Sequence, residues 1–474
     1  MNSAQKIAIN TTVQLIGKII TVATSVLVIA YITRYLGVAG YGDYATIFAY
    51  LGIFGAILDL GLFVIAVREI AKQPAAERTI LGNMLGLKIS LGLITLGLAY
   101  GLALALPYSA VVRQGILVGA LSQFFISLNQ VPLGSFQASL TMYKATLSDV
   151  VGRLLLLGLV WWFVHSSGGL MTIIWAVVWA NLAVFGFNVV MMGARYWLIP
   201  LFDWQKWREI FVAALPMGIV MVLGVIYFKI DTLILARIQG SYAVGIYSAP
   251  YKILEVLLAV PSIFMSSVLP VMTAALQESS TKAKRIFQDA FNFLSLAALP
   301  LIAGSVVVAT PIMVLISGRA YALSGPVLQI LAISLAGSFL NSVMIYTIIA
   351  ANQQYRLIWP YSWAVIINVV ANLLIIPRFS YMGAAVTTVL TEVWVLIFSA
   401  YIVAKYLHLS ADWKVFGKAL AVSLVMGLLL WLFRSWPVAW LVLVGAVIYV
   451  GLIWITKTVT KNDLVGLVPG LIRK

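Results

Sequence analysis

The chain has no cysteine and only two histidines, His165 and His408, in 474 residues. Disulfides, thiolate nucleophiles and cysteine metal sites are therefore excluded, and the histidines stand too far apart in sequence to suggest a metal cluster. Charge is scarce as well. Asp, Glu, Lys and Arg make up 9% of the residues, against about a quarter in an ordinary soluble domain. Acids are the scarcer sign, with 14 Asp and Glu to 30 Lys and Arg and a net charge of +16. The rest is largely apolar: 63% of residues are hydrophobic and the mean hydropathy is +1.06. A soluble fold would leave too much of that surface in water. A soluble enzyme, a disordered chain and a secreted disulfide scaffold are excluded, and the chain reads as an integral membrane protein.

A bilayer core takes about 20 apolar residues per helix. Fourteen runs of that kind occur between residues 10 and 457, the first two at 10–33 and 44–66. The seventh and eighth fall at 211–236 and 243–274, and the eleventh and twelfth at 357–377 and 382–404. The gaps are short and polar, with no room for a soluble domain. The runs are continuous rather than alternating, so the expected class is an all-α membrane protein of 14 transmembrane helices. The first run lacks a small-residue cleavage site and is expected to remain as an uncleaved helix.

Cations then orient the chain. With fourteen spans, one side collects nineteen, among them Arg68, Lys72, Arg78, Lys144, Lys284 and Arg356. The other side collects Arg34, Arg113, Arg237, Arg319, Arg378 and Arg434. Both termini are therefore expected in the cytoplasm. Cations spread through short loops set topology and meet lipid headgroups, so no nucleic-acid partner is expected.

The chain also repeats itself. A shift of 203 residues aligns Arg34 with Arg237, Gly37 with Gly240, Gly42 with Gly245, Tyr44 with Tyr247 and Leu51 with Leu254. Both copies fall where one helix leaves the membrane and the next re-enters, and their glycines suit a tight turn. The expected organisation is two pseudo-symmetric six-helix lobes, 1–200 for helices 1–6 and 201–410 for helices 7–12. Two extra C-terminal helices and a cytoplasmic tail fill 411–474.

Ionisable residues inside the spans carry the functional signal, because each costs about 2.5–3.5 kcal/mol at a helix centre on insertion scales. They are Lys18, Lys88, Arg153, Lys229, Lys252, Asp59, Asp149, Asp231, Glu255 and Glu392. Asp149 with Arg153, and Lys252 with Glu255, are spaced to pair on one helix face, either as structural pairs or as parts of a site. Lys18 and Lys88 have no partner close in sequence and are the better candidates for an anionic ligand. Asn368 and Asn372 share one face of helix 11, and Thr387, Thr388 and Thr391 lie on helix 12. With Asp231 they could coordinate a hard monovalent cation, or they could bind helices together. No nucleophile has a histidine base nearby and no phosphate loop follows a strand, so no catalytic residue is assigned and no enzyme is expected. Trp161, Trp162, Trp175, Trp179, Trp431, Trp436 and Trp440 read as interface-belt residues rather than a sugar platform.

Arg34-Tyr35-Leu36-Gly37, Gly40-Tyr41-Gly42-Asp43-Tyr44, Asp59-Leu60-Gly61 and Arg68-Glu69-Ile70-Ala71 resemble the opening of the polysaccharide transporters. These are the O-antigen-type, Wzx-like lipid-linked oligosaccharide flippases of the multidrug/oligosaccharidyl-lipid/polysaccharide superfamily. Asp231-Thr232-Leu233-Ile234-Leu235 and Gly245-Ile246-Tyr247 resemble the start of their second lobe, and Asn368, Asn372, Pro377, Gly383, Ala384 and Ala385 their helix 11–12 connection. The resemblance implies alternating-access transfer of an undecaprenyl-diphosphate-linked oligosaccharide from the cytoplasmic to the outer leaflet of the plasma membrane. Lys18, Lys88, Arg153, Lys229, Lys252, Arg34 and Arg237 are the expected substrate-binding residues. Asp59, Gly37, Gly42, Arg68, Glu69 and Glu255 are the expected gate or structural positions. Related lipid II flippases imply a sodium site, carried onto Asp231, Asn368, Asn372 and Thr388, with Na+ or H+ as coupling ion. No other metal and no cofactor is expected. Helix 11 here carries Asn372 and no second carboxylate, which weakens the ion-site correspondence. Besides the lipid-linked substrate, membrane lipids and polysaccharide-assembly proteins are the expected partners, and the chain is expected to be a monomer. The rival is a multidrug cation antiporter of the same superfamily. It accords less well with helices 13–14 and the intramembrane lysines. A membrane polymerase or glycosyltransferase lacks the external loop such enzymes use.

Overall fold

The computed structural model describes residues 3–193 and 199–458, with side chains from Val13 onward except Leu15. Arg195, Lys461, Arg473 and Lys474, which entered the orientation argument, lie outside the described residues. So does the side chain of Lys6.

The described residues are helical apart from short connections. In chain order the helices are α1 (Ser3–Asp59), α2 (Leu62–Lys72), α3 (Glu77–Ala105), α4 (Ala110–Ala138), α5 (Tyr143–His165) and α6 (Gly169–Met192). They continue with α7 (Trp204–Leu257), α8 (Ala259–Glu278), α9 (Ser280–Ser317), α10 (Ser324–Ala350), α11 (Ile358–Leu407), α12 (Lys414–Leu432) and α13 (Val438–Ile455). Eleven helical stretches among the described residues are long and apolar enough to cross a membrane. The expectation was fourteen separate spans. Three stretches, Ile16–Lys72, Trp204–Glu278 and Gln354–Leu407, run through what had been read as connections. A straight helix of 57 residues would be ~85 Å long, far beyond a hydrocarbon core of ~30 Å, so such stretches must bend. The backbone bends at Gly37 in α1 (φ 66°), Gly240 in α7 (φ 78°) and Ser380 in α11 (φ 49°). Gly37 and Gly240 are repeat-matched and share ψ near 180° as well. A glycine serves there because a side chain disfavours that left-handed φ.

The chain divides into two compact units, residues 1–245 and 246–474. In the first, α1 packs on α4 and α5, and α4 packs on α6. One core gathers Ile47, Leu51, Leu58, Ile116 and Ile174, and another Leu62, Leu81, Met84 and Val131. Polar cross-links supplement them. Asn181 Nδ2 donates to Ser122 Oγ at 3.0 Å and Asn188 Nδ2 to Asn129 Oδ1 at 2.8 Å, one heptad apart on each of α4 and α6. Between apolar helices such bonds are worth about 0.6–2 kcal/mol each. In the second unit α10 packs on α8, α9 and α11. α12 and α13 bury Val422, Met426, Leu430 and Leu441 with Ala303 and Val308 of α9.

Candidate functional site

Asp59 ends α1 beside a break, where Leu60 (φ 41°) and Gly61 (φ 76°) both leave the helical region. Lys88, on α3, donates to Asp59 Oδ1 at 2.7 Å. The lysine side chain is fully buried and the aspartate 17% exposed. Ser127 Oγ stands 3.5 Å from the same ammonium. Lys88 has no partner close in sequence, and the one it has lies 29 residues away, beyond the reach of local spacing. Each group stands where water would otherwise be for the other, and removing one member of such a pair costs about 3–5 kcal/mol.

A second group of charges in the first unit lies along α1 and α5. The two helices pack together, with Gly17 of α1 against Thr146 and Val150 of α5, and further along α1 the Tyr35 hydroxyl accepts from Gly169 N at the start of α6 at 3.1 Å. Lys18 on α1 and Asp149 and Arg153 on α5 follow this seam, and all three are exposed. Asp149 lies within electrostatic reach of both Arg153 and Lys18, and Tyr44 within reach of Arg153. Asp149 keeps accessible surface beside both cations. Two cations and one anion therefore share a seam next to the aromatic run Tyr41, Tyr44 and Phe48, whose neighbouring rings are 5.9 and 4.7 Å apart.

The two repeat copies meet. Gly42 lies against the Ser241 backbone, where a methyl group would stand 2.7 Å from the carbonyl carbon. Gly245 lies against Val38, where a methyl group would stand 2.8 Å from the carbonyl carbon and 2.9 Å from Cγ1. Val38 and Ser241 are themselves related by the 203-residue shift, as Gly42 and Gly245 are. The contact is thus reciprocal: each motif sets its glycine on the other's backbone. Ser241 Oγ donates to Asp43 Oδ1 across it. These glycines serve close approach, not the turn; the turn residues are Gly37 and Gly240.

Of the remaining predicted positions in this unit, Arg34 and Arg237 are exposed and Lys229 half-buried. Arg68 and Lys72 each place a nitrogen 3.1 Å from Glu69 Oε1, an ion cluster local to α2. Asp231 is 1% exposed, and its Oδ1 accepts from the Thr232 amide at 2.7 Å.

In the second unit Lys252 meets Glu255 at 2.6 Å, as their spacing suggests. Asn368, Asn372 and Thr388 are all buried on α11. Asn372 Nδ2 donates to Asn368 Oδ1 at 2.8 Å, while Asn372 Oδ1 has no hydrogen-bond partner among the described residues. Thr388 bonds back to the Ala384 carbonyl and meets Tyr247 OH at 3.0 Å. Glu392, to which no role was assigned, is buried one turn beyond Thr388. Its Cβ stands 3.6 Å from where a methyl group on Gly337 of α10 would lie, and Tyr361 lies within its electrostatic reach. An intramembrane acid was the sequence signal for it; the surroundings supplied by α10 were not legible.

Comparison with known proteins adds the family. The profile of the family described as "Polysaccharide biosynthesis protein" matches residues 3–276. The capsular polysaccharide biosynthesis protein CapF of Staphylococcus aureus is 23% identical over 299 residues, 60% of this chain and 72% of that one. The probable flippase AglR of Haloferax volcanii is 22% identical over 420 residues, 82% of this chain and 80% of that one. Among solved structures, the lipid II flippase MurJ in an inward closed conformation superposes with a TM-score of 0.78 at 14% identity, covering 97% of this chain and 100% of that one. An inward-facing multidrug resistance MATE family transporter of the MOP superfamily superposes at 0.67 and 15% identity, covering 82% and 96%. The fold is that of these transporters, and the molecule is a multi-pass membrane protein. With more than half of its length matched by one family profile, the chain belongs to the polysaccharide biosynthesis protein family.

Proposed function

We propose that the protein is a flippase, a transporter rather than an enzyme. It moves an undecaprenyl-diphosphate-linked oligosaccharide from the cytoplasmic to the outer leaflet by alternating access. The observation that carries the reading is the reciprocal contact of the two repeat copies at Gly42 and Gly245. Backbone meets backbone there through two glycines, among the buried residues Val38, Val244 and Ile246, and we read it as the place where the two motifs clasp and part. Counting each of the three kinked stretches as two spans raises eleven to fourteen. That number supports lobes at 1–200 and 201–410, an extra helix pair in 411–474, and both termini in the cytoplasm.

The chemistry of the cargo fits the α1–α5 seam. A diphosphate cannot enter hydrocarbon bare, and Lys18 and Arg153 offer it charge-assisted hydrogen bonds. The glycan takes the polar path, and the lipid tail stays in the bilayer. The names of the two sequence relatives, a capsule biosynthesis protein and a flippase, support this cargo class. For energy coupling we propose Na+ or H+ at Asp231, Asn368, Asn372 and Thr388. Three of these are buried on α11, and the Asn372 carbonyl is a buried acceptor without a partner among the described residues.

Proteoliposomes separate this reading from drug antiport. The protein should move a fluorescent lipid-linked oligosaccharide between leaflets and leave an ethidium-type cation gradient unchanged. Drug efflux without glycolipid transfer would overturn the proposal.

A further inference from the structure

Asp149 has no role in the proposed transport, yet it sits among the cations that would hold the cargo. It is one helical turn from Arg153 on α5, and the packing of Gly17 against Thr146 and Val150 brings Lys18 alongside. All three side chains are accessible on a seam of membrane-spanning helices. At Lys88 and Asp59 one cation meets one anion and both are largely buried. On the seam a second cation is present and all three ions stay accessible, with the carboxylate between the cations in sequence and packing. A carboxylate offers a cation the same kind of oxygen acceptor as a phosphate does.

We propose that Asp149 is an internal stand-in for the cargo's phosphate. Between transport cycles it accepts the charge of Lys18 and Arg153. An arriving diphosphate takes the two cations from it, and its retained negative charge then weakens the hold on the cargo enough for release. Asp149 is thus a positioning residue that sets how reversibly the site binds. The inference rests on the reading of Lys18 and Arg153 as phosphate-binding residues. Transport gains nothing from tight binding as such, because affinity has to differ between the two sides for a cycle to turn.

Inorganic pyrophosphate, titrated by calorimetry into the purified full chain in detergent at fixed salt, reads the site directly. Lipid-linked oligosaccharide transfer in vesicles reads the cycle. D149N is expected to lower the pyrophosphate Kd about tenfold, equal to ~1.4 kcal/mol, and in vesicles to lower KM and kcat together. K18A added to D149N should cancel the gain. D149S gives the same readout should D149N not fold. A merely structural Asp149 would lose affinity and turnover on substitution. If K18A or R153A weakens pyrophosphate binding while D149N and D149S leave it unchanged or weaker, the stand-in role is overturned and the phosphate site survives. If neither K18A nor R153A weakens it, the phosphate site falls and the stand-in role with it.

Discussion

Replacing Gly42 or Gly245 by alanine tests whether the repeat contact is a gate. A methyl group at Gly42 would meet the Ser241 carbonyl carbon at 2.7 Å, and one at Gly245 would meet that of Val38 at 2.8 Å. Carbon atoms settle at about 3.5–4.0 Å, so each substitution asks two backbones to part by about 1 Å. Neither obstacle is a side chain that can rotate away. Overpacking of this kind costs about 1–3 kcal/mol, and the whole cost falls on the clasped arrangement. The clasped population, relative to the open one, should therefore drop between about 5- and 150-fold. The natural chain has no cysteine, so a pair introduced at Asp43 and Ser241, whose side chains touch, reports the clasp without background. Oxidative cross-linking of that pair should slow by at least fivefold when Gly42→Ala or Gly245→Ala is added. Gly52→Ala is the control, because nothing lies within 4 Å of its added methyl group. Unchanged cross-linking in both glycine variants would show that the contact is not one of two competing states, and the gate would be lost.

The Lys88–Asp59 pair should behave as a buried couple: Lys88→Met or Asp59→Asn alone should cost about 3–5 kcal/mol, and the double replacement much less. Thermal melting in detergent reads this, and single variants as stable as the double would refute the pairing. Lys18→Ala should reduce glycolipid transfer while leaving the protein inserted, and wild-type transfer would remove its phosphate-binding role. Asp231→Asn should abolish the response of transport to an ion gradient; a response that survives unchanged would place coupling elsewhere. Tyr247→Phe removes the 3.0 Å bond to Thr388 and should lower stability by about 1 kcal/mol. A larger loss of transport than of stability would tie that bond to the ion site.

What could be read in advance divides by distance along the chain. Lys252 and Glu255 are three residues apart and pair as their spacing suggests. Gly37 and Gly240 announced left-handed turns because a repeat placed both at the same point between spans, and both adopt positive φ. Lys88 and Asp59 could not be matched, since sequence spacing says nothing of partners 29 residues apart. Gly42 and Gly245 were legible as conserved in the repeat but not for their reason. A turn glycine and a close-approach glycine look alike until the opposing backbone is seen. The spans were found, but three connections dissolved, because a single positive-φ residue can redirect a helix without ending its hydrogen bonding.

Hydroxyls explain why polar residues in the spans were a poor guide to sites. Thr24, Thr33, Ser295, Thr347, Thr387 and Thr391 each donate to the carbonyl four residues back, at 2.6–3.0 Å. Such a group satisfies itself inside its own helix and needs neither water nor a neighbour. Amides and ions cannot do this fully, because they carry more donors and acceptors than one turn can match. They must reach another helix, as Asn188 reaches Asn129 and Lys88 reaches Asp59, or take a ligand. Discounting the hydroxyls leaves, in the described spans, the accessible ions of the α1–α5 seam and the buried side-chain carbonyls of Asn188, Asn341 and Asn372, which have no partner among the described residues. The flippase proposed above would need one site for an anionic cargo and one for a coupling cation, and of these groups the seam cations and the Asn372 carbonyl coincide with positions that the sequence singled out for those two tasks.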